Sequence, residues 1–145
     1  MADETTQSIE ISAPAERVMA VIADLPSYPD WADGIKRVEV LESDERGRPR
    51  QVHLVLEKAV VRDEYTLAYD WAPDGLSVRW HLVKGQMQKA QNGSYALVER
   101  GGRTTVTYTL SVELNIPMIG LLRRKAEKVI IDTALKELKR RVEGG

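Results

Sequence analysis

Val61-Arg62-Asp63-Glu64-Tyr65-Thr66-Leu67-Ala68-Tyr69-Asp70-Trp71 runs through Ala72-Pro73-Asp74-Gly75 into Leu76-Ser77-Val78-Arg79-Trp80-His81-Leu82-Val83. Two alternating runs flank the strongest turn signal in the chain, which is the pattern of a hairpin. Side chains alternate across a strand, so Val61, Asp63, Tyr65, Leu67, Tyr69 and Trp71 share one face. Leu76, Val78, Trp80 and Leu82 join them on the inner side, while Arg62, Arg79 and His81 go to solvent. Four further strand-like runs surround this hairpin: Ile35 to Glu42, Arg50 to Glu57, one ending near Arg100, and Thr104 to Leu114. Val52, Leu54, Leu56, Tyr95, Leu97, Val106, Tyr108, Leu110, Val112 and Leu114 fall inward, and His53 falls outward. Asn92-Gly93 reads as a bend inside one long strand, because the polar stretch Gly85 to Gln91 makes a poor separate strand.

Outside this block the chain is simple. Thr6 to Ser12 alternates as one half-buried strand. Pro14 and Glu16 open a helix whose Val18, Val21, Ile22 and Leu25 form a stripe, and a short second helix runs from Ser27 to Trp31. After Ile116-Pro117 comes a helix of about 25 residues, starting near Pro117 or Met118. Its apolar positions Leu122, Ala126, Val129, Ile130, Ala134 and Leu138 predict the face laid on the sheet, opposed by Lys125, Lys128, Asp132, Lys136 and Lys139. The order is β, α, α, six β, α: an α+β domain spanning residues 1–145.

A strongly bent antiparallel sheet closed over one long helix leaves space between them, and such a space is a ligand site. Its expected lining from the strands is Asp63, Tyr65, Leu67, Tyr69, Trp80, Tyr95, Tyr108 and Leu110. Trp31, Met118, Leu122 and Ile130 complete it from the helices. The aromatics also fit an ordinary packed core. Against that reading, a buried hydroxyl without a partner costs about 1–3 kcal/mol, and four tyrosines point inward. Five Tyr, three Trp and no Phe give every ring a polar handle. A carboxylate on the inner face is costly unless paired, so Asp63, close to the Lys58–Val61 hairpin, is expected at the rim, reaching water.

Composition removes several classes. Without cysteine there is no disulfide framework, thiol nucleophile or thiolate metal site. A net charge of −1 makes no overall case for nucleic acid or an anionic membrane. No apolar run approaches a membrane span, and Met1-Ala2-Asp3-Glu4 reverses the basic start of a signal peptide, so a cytoplasmic protein is expected. His53 and His81 point outward at the wrong spacing for a metal or a hydrolytic triad. No glycine loop precedes a helix in the manner of phosphate cradles, and no metal or cofactor is expected. Arg123-Arg124-Lys125 reads as a solvated basic face. Acid–base chemistry is left to Asp63, Tyr65, Tyr69 and Tyr108.

The segments Ile9 to Val18, Leu25-Pro26-Ser27-Tyr28-Pro29-Asp30-Trp31, Gly93 to Leu97 and Thr104 to Tyr108, with the long last helix, resemble the START-like (SRPBCC) superfamily. Within it the chain is most similar to the polyketide cyclase/dehydrase and lipid-transport group, over nearly its whole length. That resemblance implies a helix-grip fold: a seven-stranded antiparallel sheet wrapped around the C-terminal helix over a deep apolar cavity. It also implies a hydrophobic ligand such as a lipid, isoprenoid, quinone or aromatic polyketide. Trp31 matches the family's tryptophan, where the role looks structural. The aromatase/cyclase branch implies a tyrosine and an arginine inside the cavity, whereas Ala32 to Val38 holds no tyrosine and Arg62 and Arg79 face outward.

Three readings follow. The first is a carrier or sensor of a small hydrophobic molecule, monomeric or weakly dimeric. The second is an enzyme of cyclase, aromatase or dehydratase type that holds a reactive chain in the right shape. The third is a protein-interaction module using Ile116 to Leu122, a run in which Gly120 and the adaptable Met118 also suggest a gate.

Overall fold

The computed structural model describes residues 4–58, 61–116 and 120–144. Its elements are β1 (Thr5–Ile11), α1 (Ala15–Ala23), a 3-10 turn (Leu25–Ser27), α2 (Tyr28–Trp31), β2 (Ile35–Ser43), β3 (Pro49–Lys58), β4 (Val61–Trp71), β5 (Ser77–Gly85), β6 (Gln88–Arg100), β7 (Arg103–Leu114) and α3 (Gly120–Gly144). The seven strands form one sheet in the order β1-β7-β6-β5-β4-β3-β2, every pair antiparallel. The sheet grips α3, as the resemblance implied.

Turn chemistry fixes the hairpins. Asp74 Oδ1 accepts from the Leu76 amide at 2.9 Å, and Gly75 takes a positive φ of 73°. Asp44 does the same for the β2–β3 turn, accepting from the amides of Arg46 and Arg48 at 2.9 Å. Asn92-Gly93 lies inside β6, as expected, and the reason is steric. Gly93 pairs with Trp80, and a Cβ at Gly93 would stand 2.3 Å from the indole. The missing side chain lets Trp80 lie across β6.

The inner face of the sheet follows the alternation: Val52, Leu54, Tyr65, Leu67, Trp71, Val78, Trp80, Tyr95, Leu97, Val106, Tyr108 and Leu110 are buried in one cluster with Val18, Ile22 and Leu25. Val61 and Leu76, at the ends of their runs, are exposed.

The helix corrects the sequence reading. The buried stripe of α3 is Glu127, Ile131, Leu135, Leu138 and Val142, and only Leu138 was expected there. Leu122, Val129 and Ile130 are exposed. Apolar residues occupy two sides of this helix, and a buried Glu127 hides the packing side from a count of residue types. Glu127 is satisfied: Thr5 Oγ1 donates to Oε1 at 2.8 Å and the Val112 amide to Oε2 at 2.7 Å. Val112 lies just beyond Leu110, the last residue of β7 that β1 pairs, so the carboxylate takes an amide that β1 does not reach.

Candidate functional site: a tyrosine-lined interior beside a helical cleft

Alternation on four neighbouring strands delivers six rings to one place. Trp80 lies 5.6 Å from Tyr69, 5.4 Å from Tyr95 and 5.7 Å from Tyr108, centroid to centroid. Tyr95 and Tyr108, paired across β6 and β7, stand 4.6 Å apart, and Tyr69 stacks on Trp71 at 5.6 Å. Tyr65 precedes Tyr69 by four residues on the same face of β4. Each ring pair contributes about 0.5–1.5 kcal/mol beyond its burial.

The phenol oxygens matter more than the rings. Tyr28 donates to the carbonyl of Ile22 at 2.6 Å. Tyr65, Tyr69, Tyr95 and Tyr108 have no hydrogen-bond partner among the described residues. Their hydroxyls are not sealed either, since the one buried and unpartnered side-chain polar atom there is Nε of Arg123. Burial, followed by the field of neighbouring acidic groups, holds all four phenols above their ordinary 10.0. Neighbouring phenols add to the shift at Tyr28, Tyr69, Tyr95 and Tyr108, and Asp63 adds to that at Tyr65. At neutral pH the interior presents neutral groups that both donate and accept.

Asp63 corrects the rim expectation. It is 4% exposed, with Oδ1 accepting from the Met87 amide at 3.0 Å and Oδ2 from Gln88 Nε2 at 2.9 Å. Gln88 Oε1 accepts from Gln91 Nε2 at 2.6 Å, and Gln91 Oε1 accepts from Trp80 Nε1 at 2.9 Å. This chain of bonds ties the β5–β6 turn to β4 and fixes the Trp80 ring.

A cleft of about 770 Å³ opens between α1, α2 and the end of α3, bordered by Arg17, Val21, Asp30, Trp31, Glu137, Arg140 and Arg141. It neighbours the phenols at two points. Trp31 meets Tyr28 edge-on at 5.0 Å, and Glu137 contributes to the raised pKa of Tyr95. A second depression, about 540 Å³, lies beside Gly93 and the outward side chains of Arg79 and His81.

The structure thus gathers Tyr65, Tyr69, Trp80, Tyr95 and Tyr108, with Leu67 and Leu110 buried behind them and Trp31 half-buried at the cleft. Leu122 and Ile130 stand exposed on α3, and Met118 lies outside the described residues. His53 faces outward, within 3.1 Å of Thr66 Oγ1 and 3.2 Å of Glu64 Oε1. Sequence reasoning missed Tyr28, Glu137 and Arg123. Tyr28 was within reach, since it lies in the quoted Leu25–Trp31 motif. Arg123 belongs to the run expected to be a solvated basic face, but its Nε is shut away from solvent.

Fold and interior define a helix-grip protein of the START-like class. Residues 11–139 match the family described as polyketide cyclase / dehydrase and lipid transport, and the chain belongs to it. No curated protein sequence matches. Among solved structures, the chain is similar to a START superfamily protein from Mycobacterium smegmatis, with 25% identity, a TM-score of 0.91 and 97% of each chain covered. It shares its fold with a protein from Thermus thermophilus, at 24% identity, TM-score 0.81 and 98% of each chain. The same holds for the Zhui aromatase/cyclase of a Streptomyces species, at 16% identity, TM-score 0.80, 99% of this chain and 94% of that one.

Proposed function

We propose that the protein binds a small hydrophobic molecule bearing hydroxyl or carbonyl groups, as a carrier or sensor. Lipids, isoprenoids, quinones and aromatic polyketides are the classes that fit. The observation that carries this reading is the set of four neutral phenols on the inner face of the sheet, without hydrogen-bond partners among the described residues. A ligand oxygen there gains hydrogen bonds that the protein leaves unmade. Binding is favoured over chemistry because the candidate catalytic groups are poorly placed for it. Both oxygens of Asp63 are engaged, and phenols with raised pKa exchange protons weakly near neutral pH. A cytoplasmic location and a monomeric or weakly dimeric state belong to the same proposal; no described helix is long and apolar enough to cross a membrane.

Native mass spectrometry of freshly purified protein, with solvent extraction and a panel of lipid, quinone and polyketide, tests it. A reproducible hydrophobic adduct is expected, with Tyr108→Phe weakening uptake about threefold to tenfold. A clean mass with no uptake from the panel overturns it. Turnover of a polyketide, with Tyr108→Phe lowering kcat far more than affinity, transfers the assignment to an enzyme.

A further inference from the structure

We propose that the first half of α3 docks on the surface of an anionic lipid bilayer. Of the ten large apolar side chains exposed among the described residues, five fall between positions 116 and 130. They are Ile116 (65% exposed), Leu121 (68%), Leu122 (53%), Val129 (58%) and Ile130 (48%). Glu127 lies within this stretch of helix but turns to the sheet, as do Ile131 and Leu135 beyond it, so the exposed residues are not surplus core.

Charge selects the occupant. α3 holds eight Lys and Arg against four Asp and Glu, a net +4, while the remaining 120 residues hold 13 against 18, a net −5. The near-neutral total therefore conceals a basic helix on an acidic body. Within Gly120–Ile130 the cations are Arg123, Arg124, Lys125 and Lys128, and the sole acid, Glu127, is buried with both oxygens bonded. Lys125 and Lys128 are exposed and interleave with Leu121, Leu122 and Val129 along the helix.

Apolar side chains without an exposed acid among them, flanked by lysines, match the boundary between acyl chains and anionic headgroups. The lysine stems lie along the apolar surface while their ammonium groups reach phosphate. The surface is the convex outside of a helix, which suits a soft, flat partner. With an overall charge of −1, attraction comes from the local patch and fades within a Debye length, about 10 Å at 0.1 M salt. Docking would bring the protein to a source of hydrophobic ligand, but it stands without that reading because it is measured with no ligand added.

The experiment is co-sedimentation of the full chain with phosphatidylcholine vesicles and with vesicles in which part of the lipid is phosphatidylglycerol. Binding is expected only to the second kind, with release at high salt. Each lysine near such a surface contributes roughly fivefold to partitioning, so Lys125→Glu with Lys128→Glu weakens it by more than about tenfold. Leu121→Ser with Val129→Ser weakens it as well, with circular dichroism and Tm unchanged because both residues are exposed. Lys36→Glu with Arg37→Glu, on the exposed outer edge of the sheet, changes it less than about twofold. No sedimentation with anionic vesicles, equal binding to both kinds, or indifference to the Lys125/Lys128 reversal overturns the proposal. So does a concentration-dependent dimer that Leu121→Ser with Val129→Ser abolishes while vesicles are ignored, since the face is then an interface between copies.

Discussion

The two halves of α3 are built from similar residues and do different work. From Ile131 onward the helix is pinned to the body at every turn. Ile131, Leu135, Leu138 and Val142 are buried, and Glu137 accepts from the Asp33 amide at 3.0 Å. Lys139 donates to the Glu10 carbonyl at 2.8 Å, Glu143 accepts from the Ser12 amide at 2.8 Å, and Arg17 donates to the Val142 carbonyl at 2.9 Å. The first half is held through the buried carboxylate of Glu127, and it turns Leu121, Leu122, Val129 and Ile130 outward. Apolar content alone does not say whether a helical face is core or contact surface. The partners opposite it decide.

The largest contrast is between two leucines. Leu138→Ala, at a fully buried site, is expected to cost about 2–5 kcal/mol, whereas Leu122→Ala stays within about 0.5 kcal/mol. Urea denaturation of both variants measures the difference, and equal losses would erase the distinction between the halves. Next comes the joint. Glu127→Ala strands the Thr5 hydroxyl and the Val112 amide, each at about 1–3 kcal/mol if left dry. The same variant should raise hydrogen exchange in the first half of α3 and leave the second half protected. Uniform exchange along the helix would show that Glu127 is not the anchor.

That joint also marks where the sequence stopped being readable. The sheet was legible because its signals are local: the alternation from Val61 to Trp71, the turn at Pro73-Asp74-Gly75, and the long strand through Asn92-Gly93. The inward tyrosines followed from the same period of two. The packing face of α3 was not legible, because a glutamate occupies it and its partners lie 122 and 15 residues away. Asp63 misled for the same reason. Its partners, Met87 and Gln88, come from another hairpin, so neither burial nor satisfaction could be read from β4 alone. The cleft, assembled from α1, α2 and α3, has no sequence signature beyond Trp31.

A third prediction contrasts the interior with the helix ends. Burial raises the pKa of Tyr65, Tyr69, Tyr95 and Tyr108 in the folded state above the ordinary 10.0 reached on unfolding. Their contribution to stability is complete below that value and is lost as pH climbs above it. In an alkaline titration, phenolate absorbance should stay low past the ordinary tyrosine range and then rise together with unfolding. Independent titration near 10, with the fold intact, would mean that the phenols are freely hydrated.

The smallest effect tests the clasp at the far end of α3. Lys139 Nζ lies 2.7 Å from Glu143 Oε2, and with the Ser12 amide it holds the Glu143 carboxyl below its ordinary 4.5. A lowered folded-state pKa gives stability that is present above the unfolded value and lost as pH falls through the folded one. The groups are exposed, so global stability should barely change. Exchange protection is the sensitive readout: acidification through the carboxylate range should loosen the last turns of α3, and Glu143→Gln should loosen them at neutral pH. The first half offers a comparison within the same molecule, since its anchor is a buried carboxylate bonded to neutral donors. In Glu143→Gln at neutral pH the first half should keep its protection; if the last turns keep theirs as well, the second half owes its order to Ile131, Leu135 and Leu138 alone.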